Sequence, residues 1–208
     1  VGRSFTNSCV YSCTLSLLSL LVCSIAGYGF EVYHDKWKDR VMSILLLAMM
    51  VPFAATLIPL FKLFTGLGLQ STWIAYILPT ISTPFLIMLF RQSTRTFPRE
   101  IIEAARIDGL SELKIFAQLY FPTMKSTYAA AMTVTFMNAW NNYLWPKVIM
   151  MSADSQTMPM MVANLSAGYS IDYGVLMLGV LICSLPTGIL FLILQRSFTN
   201  GILGAVKG

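Results

Sequence analysis

Four stretches of this chain, residues 8–30, 41–64, 71–90 and 175–194, stay apolar for the roughly 20 residues that a helix needs to cross the hydrocarbon core of a bilayer. A fifth, 126–149, is apolar on average but carries Asn138, Asn141 and Asn142. Composition agrees with a membrane solvent. Of the 208 residues 56% are hydrophobic and 11% are charged, against about 25% charged in a soluble domain. The sequence therefore predicts an all-α fold, a polytopic transmembrane helical bundle with five spans. It reads as one membrane domain over 1–208, without repeats or low-complexity tracts.

The charges orient this bundle. Lys36, Lys38, Arg40, Arg91, Arg95, Arg99, Arg106, Lys114, Lys125, Arg196 and Lys207 fall on one set of connections, leaving Arg3, Lys62 and Lys147 for the other. By the positive-inside rule the richer set, including residues 92–125 and the C-terminus, is cytoplasmic. Cations spread between apolar runs do not form the basic face that nucleic acid requires. This orientation puts the N-terminus outside. With Val1 in place of Met and no signal peptide, the sequence predicts a missing N-terminal segment whose extra span would make six.

Chemistry is sparse. Cys9, Cys13, Cys23 and Cys183 lie within predicted spans without a CxxC pair, and one His serves the whole chain, so no metal, disulfide or catalytic constellation is expected. No carboxylate or lysine lies mid-span, which argues against ion-coupled secondary transport. No phosphate loop is present, so any ATP chemistry belongs to separate subunits, and no cofactor is expected.

The connection 92–125 is too patterned for a simple linker. It reads as two short helices, the first entered at Pro98, with Glu100 and Glu103 at its electropositive end and Gly109 at its stop. The second, 112–120, is capped by Ser111 and ended by Pro122. At a 3.6-residue period their apolar faces are Ile101, Ala104 and Ala105, then Leu113, Phe116, Ala117 and Tyr120. Those faces either pack on the chain's own spans or dock on a soluble partner.

These residues carry a resemblance. Glu103-Ala104-Ala105, three residues, Gly109, nine residues, Leu119, one residue, then Phe121-Pro122 resembles the EAA loop of ABC importer permeases, with Leu119 and Phe121 in place of that motif's Ile and Leu. Asp108 before the glycine is similar to the sugar-importer branch. Asn7-Ser8, 26–30, Val51-Pro52 and the tail 201–208 resemble the maltose-type carbohydrate permeases. The resemblance implies a bacterial inner-membrane subunit that works with a second, homologous permease, two cytoplasmic ATPase subunits and an extracytoplasmic solute-binding protein. It implies that the loop docks on the ATPase and that the tail reaches between the ATPase subunits. The cargo it implies is a sugar, while an amino acid or polyamine remains the alternative because the loop reports the ATPase partner and not the solute.

Asn138, Asn141, Asn142 and Trp145 recur at helical spacing in the span 126–149 and so share one face, and amides with an indole suit an uncharged sugar. Interhelical hydrogen bonding and an interfacial aromatic belt are the alternatives. Pro52, Pro59, Pro79, Pro84 and Pro186 predict kinks. Residues 152–173 read as an outer loop that either links spans or meets the binding protein.

Overall fold

The computed structural model describes residues 1–168 and 171–206, with side chains through 195. Tyr169, Lys207 and Gly208 lie outside the described residues, as does the Arg196 side chain. Among the described residues twelve α-helices run in chain order: α1 Gly2–Val32, α2 Lys36–Ala48, α3 Phe53–Gly66, α4 Trp73–Ile77, α5 Pro84–Thr94, α6 Arg99–Ile107, α7 Glu112–Lys114, α8 Phe121–Thr123, α9 Lys125–Trp140, α10 Leu144–Ile149, α11 Met158–Ser166 and α12 Tyr173–Val206. No strand occurs among the described residues.

Two of these helices, α1 and α12 through Gln195, are each long and apolar enough to span a membrane. The pairs α2–α3 and Trp73–Thr80 with α5 qualify only when joined across a break, giving up to four spans. The expected runs 41–64 and 71–90 are thus broken spans, and proline explains where. Pro52 caps α3 in extended backbone at ψ 135°, Pro79 sits in a 3₁₀ turn, and Pro84 opens α5 behind Thr83, whose hydroxyl accepts from the Leu86 amide at 3.4 Å. The expected span 126–149 is not one helix either: α9 stops at Trp140, and Asn141–Tyr143 separate it from α10. Residues 152–173 are more than a loop, because Pro159 starts α11 within them.

Contacts group the chain into two compact units, each with its own core. In the unit of Val1–Leu18, Val51–Ile81 and Val134–Ile193, Trp145 anchors a cluster with Phe64, Ala75, Tyr76, Ile77 and Ile149. Its indole donates to the Ala75 carbonyl at 2.9 Å, and the Tyr76 hydroxyl donates to the Ala139 carbonyl at 2.9 Å, so both polar tips are satisfied in an apolar setting. Ser8 Oγ accepts from the Met158 amide at 2.7 Å, and Asn7 donates to the carbonyls of Asp154 and Gln156, which ties α1 to the start of α11.

The unit of Ser19–Met50, Ser82–Thr133 and Leu194–Gly208 packs α1 against α5 through Leu20, Cys23, Met42, Leu86, Ile87 and Phe90. A second cluster, with Tyr28, Phe97, Ile102, Ala105, Ile115, Tyr120 and Met124, seats the 92–125 connection on the end of α1.

Candidate functional site

Helix α6 is built as its sequence predicts at both ends. Pro98 precedes it in extended backbone, Glu100 lies in the first turn and Arg106 in the last, each favourable to the helix dipole. At its C-terminus the Gly109 amide donates to the Arg106 carbonyl and the Leu110 amide to the Ala105 carbonyl, both at 3.0 Å. This double closure needs residue 109 in the left-handed region, and Gly109 sits there at φ 78°. Leu110 folds back on the cluster that holds Ala105.

The inward face of α6 differs from the expected one. Ile102 and Ala105 are buried, whereas Ile101, Glu103, Ala104 and Ile107 are exposed, Ile107 to 87%. Asp108, Gly109 and Pro122 are exposed too, and Leu119 is half-buried. The helix is therefore apolar on two sides: one packs on the chain, and the other, with Glu103 and Ala104 beside Ile101 and Ile107, faces outward.

The following segment departs further. Ile115–Tyr120 form a π-turn, closed by the Phe121 amide on the Phe116 carbonyl, and Ser111 supplies no side-chain cap. Pro122 has no amide to give, and its ring crowds the carbonyl four residues back. A widened turn relieves both. The extra residue rotates the register: Ile115 and Tyr120, five apart, are buried together, while Leu113 is 78% exposed and Ala117 is exposed. The Tyr120 ring meets Tyr28 and Phe97, and its hydroxyl pairs with Thr94 Oγ1 at 2.7 Å. Burial pushes that phenol upward.

Polar braces hold the two short helices. Arg106 Nε donates to Glu112 Oε1 at 2.7 Å and its guanidinium lies 5.7 Å from the centroid of Tyr33, just past the end of α1. Arg106 holds the Glu112 carboxyl below the usual carboxylate range, helped by the Tyr33 hydroxyl. Glu31 and Tyr33 escaped the sequence reading because each sits at the margin of an apolar run. The signal that could have found Glu31 is the arginine series 91, 95 and 99, spaced by four and wanting an acidic partner.

The asparagine set is separated by the end of α9. Asn138 is exposed on the helix, Asn141 lies in the turn beyond it with Nδ2 donating to the Met137 carbonyl at 2.9 Å, and Asn142 is half-buried. Trp145 does not share their face, since it is fully buried in the core described above. Asn141 lines a cavity of about 550 Å³ together with Tyr143, Ser166, Ser184 and Thr187 over an otherwise apolar wall. Among the described residues no cluster of His, Cys, Asp or Glu could hold a metal.

Broken and unbroken apolar helices, joined by a loop of short helices that has an outward apolar face, define a polytopic α-helical membrane protein. Residues 19–203 match the family described as binding-protein-dependent transport system inner membrane component, and the chain belongs to that family. It is 47% identical to the lactose transport system permease protein of Rhizobium radiobacter over 98% of this chain and 74% of that one. Likeness to the arabinooligosaccharides transport system permease protein of Bacillus subtilis (strain 168) is 36%, over 98% of this chain and 73% of the relative. Among solved structures, a bacterial ABC transporter involved in the import of the acidic polysaccharide alginate shares the fold at TM-score 0.82 and 20% identity, covering 93% of this chain and 74% of that one. An inward-facing methionine ABC transporter shares it at TM-score 0.65 and 14% identity, over 97% and 95%.

Proposed function

We propose that this chain is a permease subunit of a bacterial ABC importer for a sugar of the lactose class, working in the inner membrane with its C-terminus in the cytoplasm. What carries the reading is the 103–122 loop, whose outward face is left free by the fold, in a chain 47% identical to a lactose transport system permease. The chain has no phosphate loop, so ATP is bound and hydrolysed by two partner subunits. Their closure pushes on α6 and the π-turn, and the buried side of the same segment transmits the movement to the bundle. Glu103, Ala104, Ala105, Asp108, Gly109, Leu119 and Pro122 shape this docking element. Glu103 and Ala104 contact the ATPase, whereas Ala105 holds α6 to its own chain. A second permease subunit completes the pathway, and an extracytoplasmic binding protein delivers the sugar.

The pathway residues are fewer than the asparagine set suggests. Asn141 lines a cavity of sugar-accommodating size with Tyr143, Ser166, Ser184 and Thr187, a few convergent polar groups on an apolar wall. Asn138 and Asn142 flank it in sequence, and Trp145 serves the scaffold.

The test is copurification with the ATPase subunits and lactose uptake in proteoliposomes, for the wild type and for Glu103→Lys. Loss of ATPase recovery and of ATP-dependent lactose uptake in the variant is the expected result. Undiminished assembly and uptake would sink the docking role of α6, and a wild type that takes up an amino acid or a polyamine in preference to lactose would overturn the cargo.

A further inference from the structure

Helix α1 ends in a carboxylate that three arginines share. Glu31 Oε2 accepts from Arg91 Nε at 3.2 Å and from Arg95 Nε at 3.3 Å, and Oε1 lies 3.9 Å from Arg99 Nη2. Arg91 sits in the last turn of α5, Arg95 caps that helix, and Arg99 is the first residue of α6. Residues four apart lie one above the other on a helix, so Arg91 and Arg95 reach the same point. The turn closed by the Phe97 amide on the Thr94 carbonyl brings Arg99 to it as well.

The convergence exceeds what stability requires. The Arg91 side chain is 5% exposed and needs a counter-charge, but Asp39 of α2 already provides one. The Arg95 and Arg99 side chains are 45% and 67% exposed, and water would solvate them without a partner at little cost, since exposed pairs are worth about 0–1 kcal/mol. At this junction the apolar packing is also incomplete. A cavity of about 110 Å³ at this junction is lined by Glu31, Val32, Thr94, Arg95, Phe97, Arg99 and Ile102. Charge there adds to the apolar contact that Tyr28 and Val32 make with Ile102 and Ala105.

We infer that Glu31 is a positioning residue of the loop: through Arg99 it fixes the first turn of α6 to the last turn of α1, so that displacement of α6 is passed to α1. This rests on the permease reading above and names the element that receives the movement. The far end of α6 is held to the same helix end by Arg106 against Tyr33, so α1 grips α6 at both termini.

The experiment follows backbone amide exchange in the assembled transporter, wild type and variants, with and without ATP and vanadate. In the wild type, nucleotide changes exchange both in 99–107 and in 27–33. In Arg99→Gln, which severs an exposed contact and leaves the buried pair intact, assembly is retained and the change in 99–107 persists. The change in 27–33 falls by up to about fivefold, the most that an exposed ion pair is worth. Arg99→Lys, which keeps the charge, restores it, and Glu31→Gln reproduces the loss. Retention of the 27–33 response in Arg99→Gln and Glu31→Gln overturns the role of Glu31 and leaves the permease reading standing. A wild-type chain that recovers no ATPase overturns both.

Discussion

Gly27 lies so close to Arg91 that a Cβ on residue 27 would stand 2.7 Å from the Arg91 amide nitrogen, with Phe90 Cβ at 2.6 Å and the Ile87 carbonyl oxygen at 2.8 Å. Two of those atoms are backbone and cannot swing away, so α1 and α5 must part to admit a methyl group. Gly27→Ala should cost about 1–3 kcal/mol by overpacking, although alanine is the better helix former. Gly29, two residues on, has no atom within 4 Å of a Cβ, so Gly29→Ala should be neutral or stabilising. Thermal unfolding in detergent of the two variants reads this difference directly, and equal melting temperatures would refute the close approach.

Gly109 presents the opposite case. Nothing of this chain lies within 4 Å of a Cβ there, so what the chain itself requires of glycine is its conformation. A left-handed backbone costs a residue with a Cβ about 1–2 kcal/mol. Gly109→Ala and Gly109→Leu should therefore lose similar stability, while Gly109→Asn, more tolerant of this region, should lose less. A loss that grew with side-chain volume would mean that crowding, rather than φ, fixes this position.

The loop was legible where its signals are local. Pro98, Gly109 and Pro122 act on their own backbone, and two of them end or begin a helix where expected; the third takes effect in the turn before it. Which residues turn inward was not legible, because a period of 3.6 assumes an α-helix and Pro122 enforces a π-turn that carries Ile115 and Tyr120 inward in place of Leu113 and Ala117. Apolarity marked the membrane runs but not their breaks at 49–52 and 81–83, since proline can also be accommodated inside a helix, as Pro59 and Pro186 are. The Glu31 cluster joins residues 60 or more apart, which no local pattern reports.

The Arg106–Glu112 brace gives the loop an acid dependence of defined sign. The folded-state value of Glu112 is depressed, so its contribution is complete above the ordinary glutamate value of about 4.3 and is lost as pH falls through the lower folded value. Amide protection across 99–120, corrected for intrinsic exchange, should be level from neutral pH to about 5 and should fall at more acid pH. In Arg106→Gln protection should be lower at neutral pH and lack that acid step. An unchanged acid step in the variant would assign it to another group.

Trp145 and Asn141 lie four residues apart and should behave oppositely. The Trp145 indole is fully buried, its N–H is committed to the Ala75 carbonyl, and its ring meets Phe53 and Phe64 edge-on. Truncation to Ala opens a large cavity and strands that carbonyl, at a cost of about 3–5 kcal/mol. Trp145→Ala should therefore reduce the yield of folded protein and its melting temperature, while whatever folds should keep the wild-type KM for the transported sugar. Asn141 is exposed on the cavity wall, so Asn141→Ala should leave the melting temperature within about 0.5 kcal/mol equivalent, as surface substitutions do, and should raise KM. Uptake kinetics and unfolding of the two variants, measured side by side, separate scaffold from pathway. A raised KM in Trp145→Ala at unchanged stability would return the indole to the pathway that the sequence first suggested.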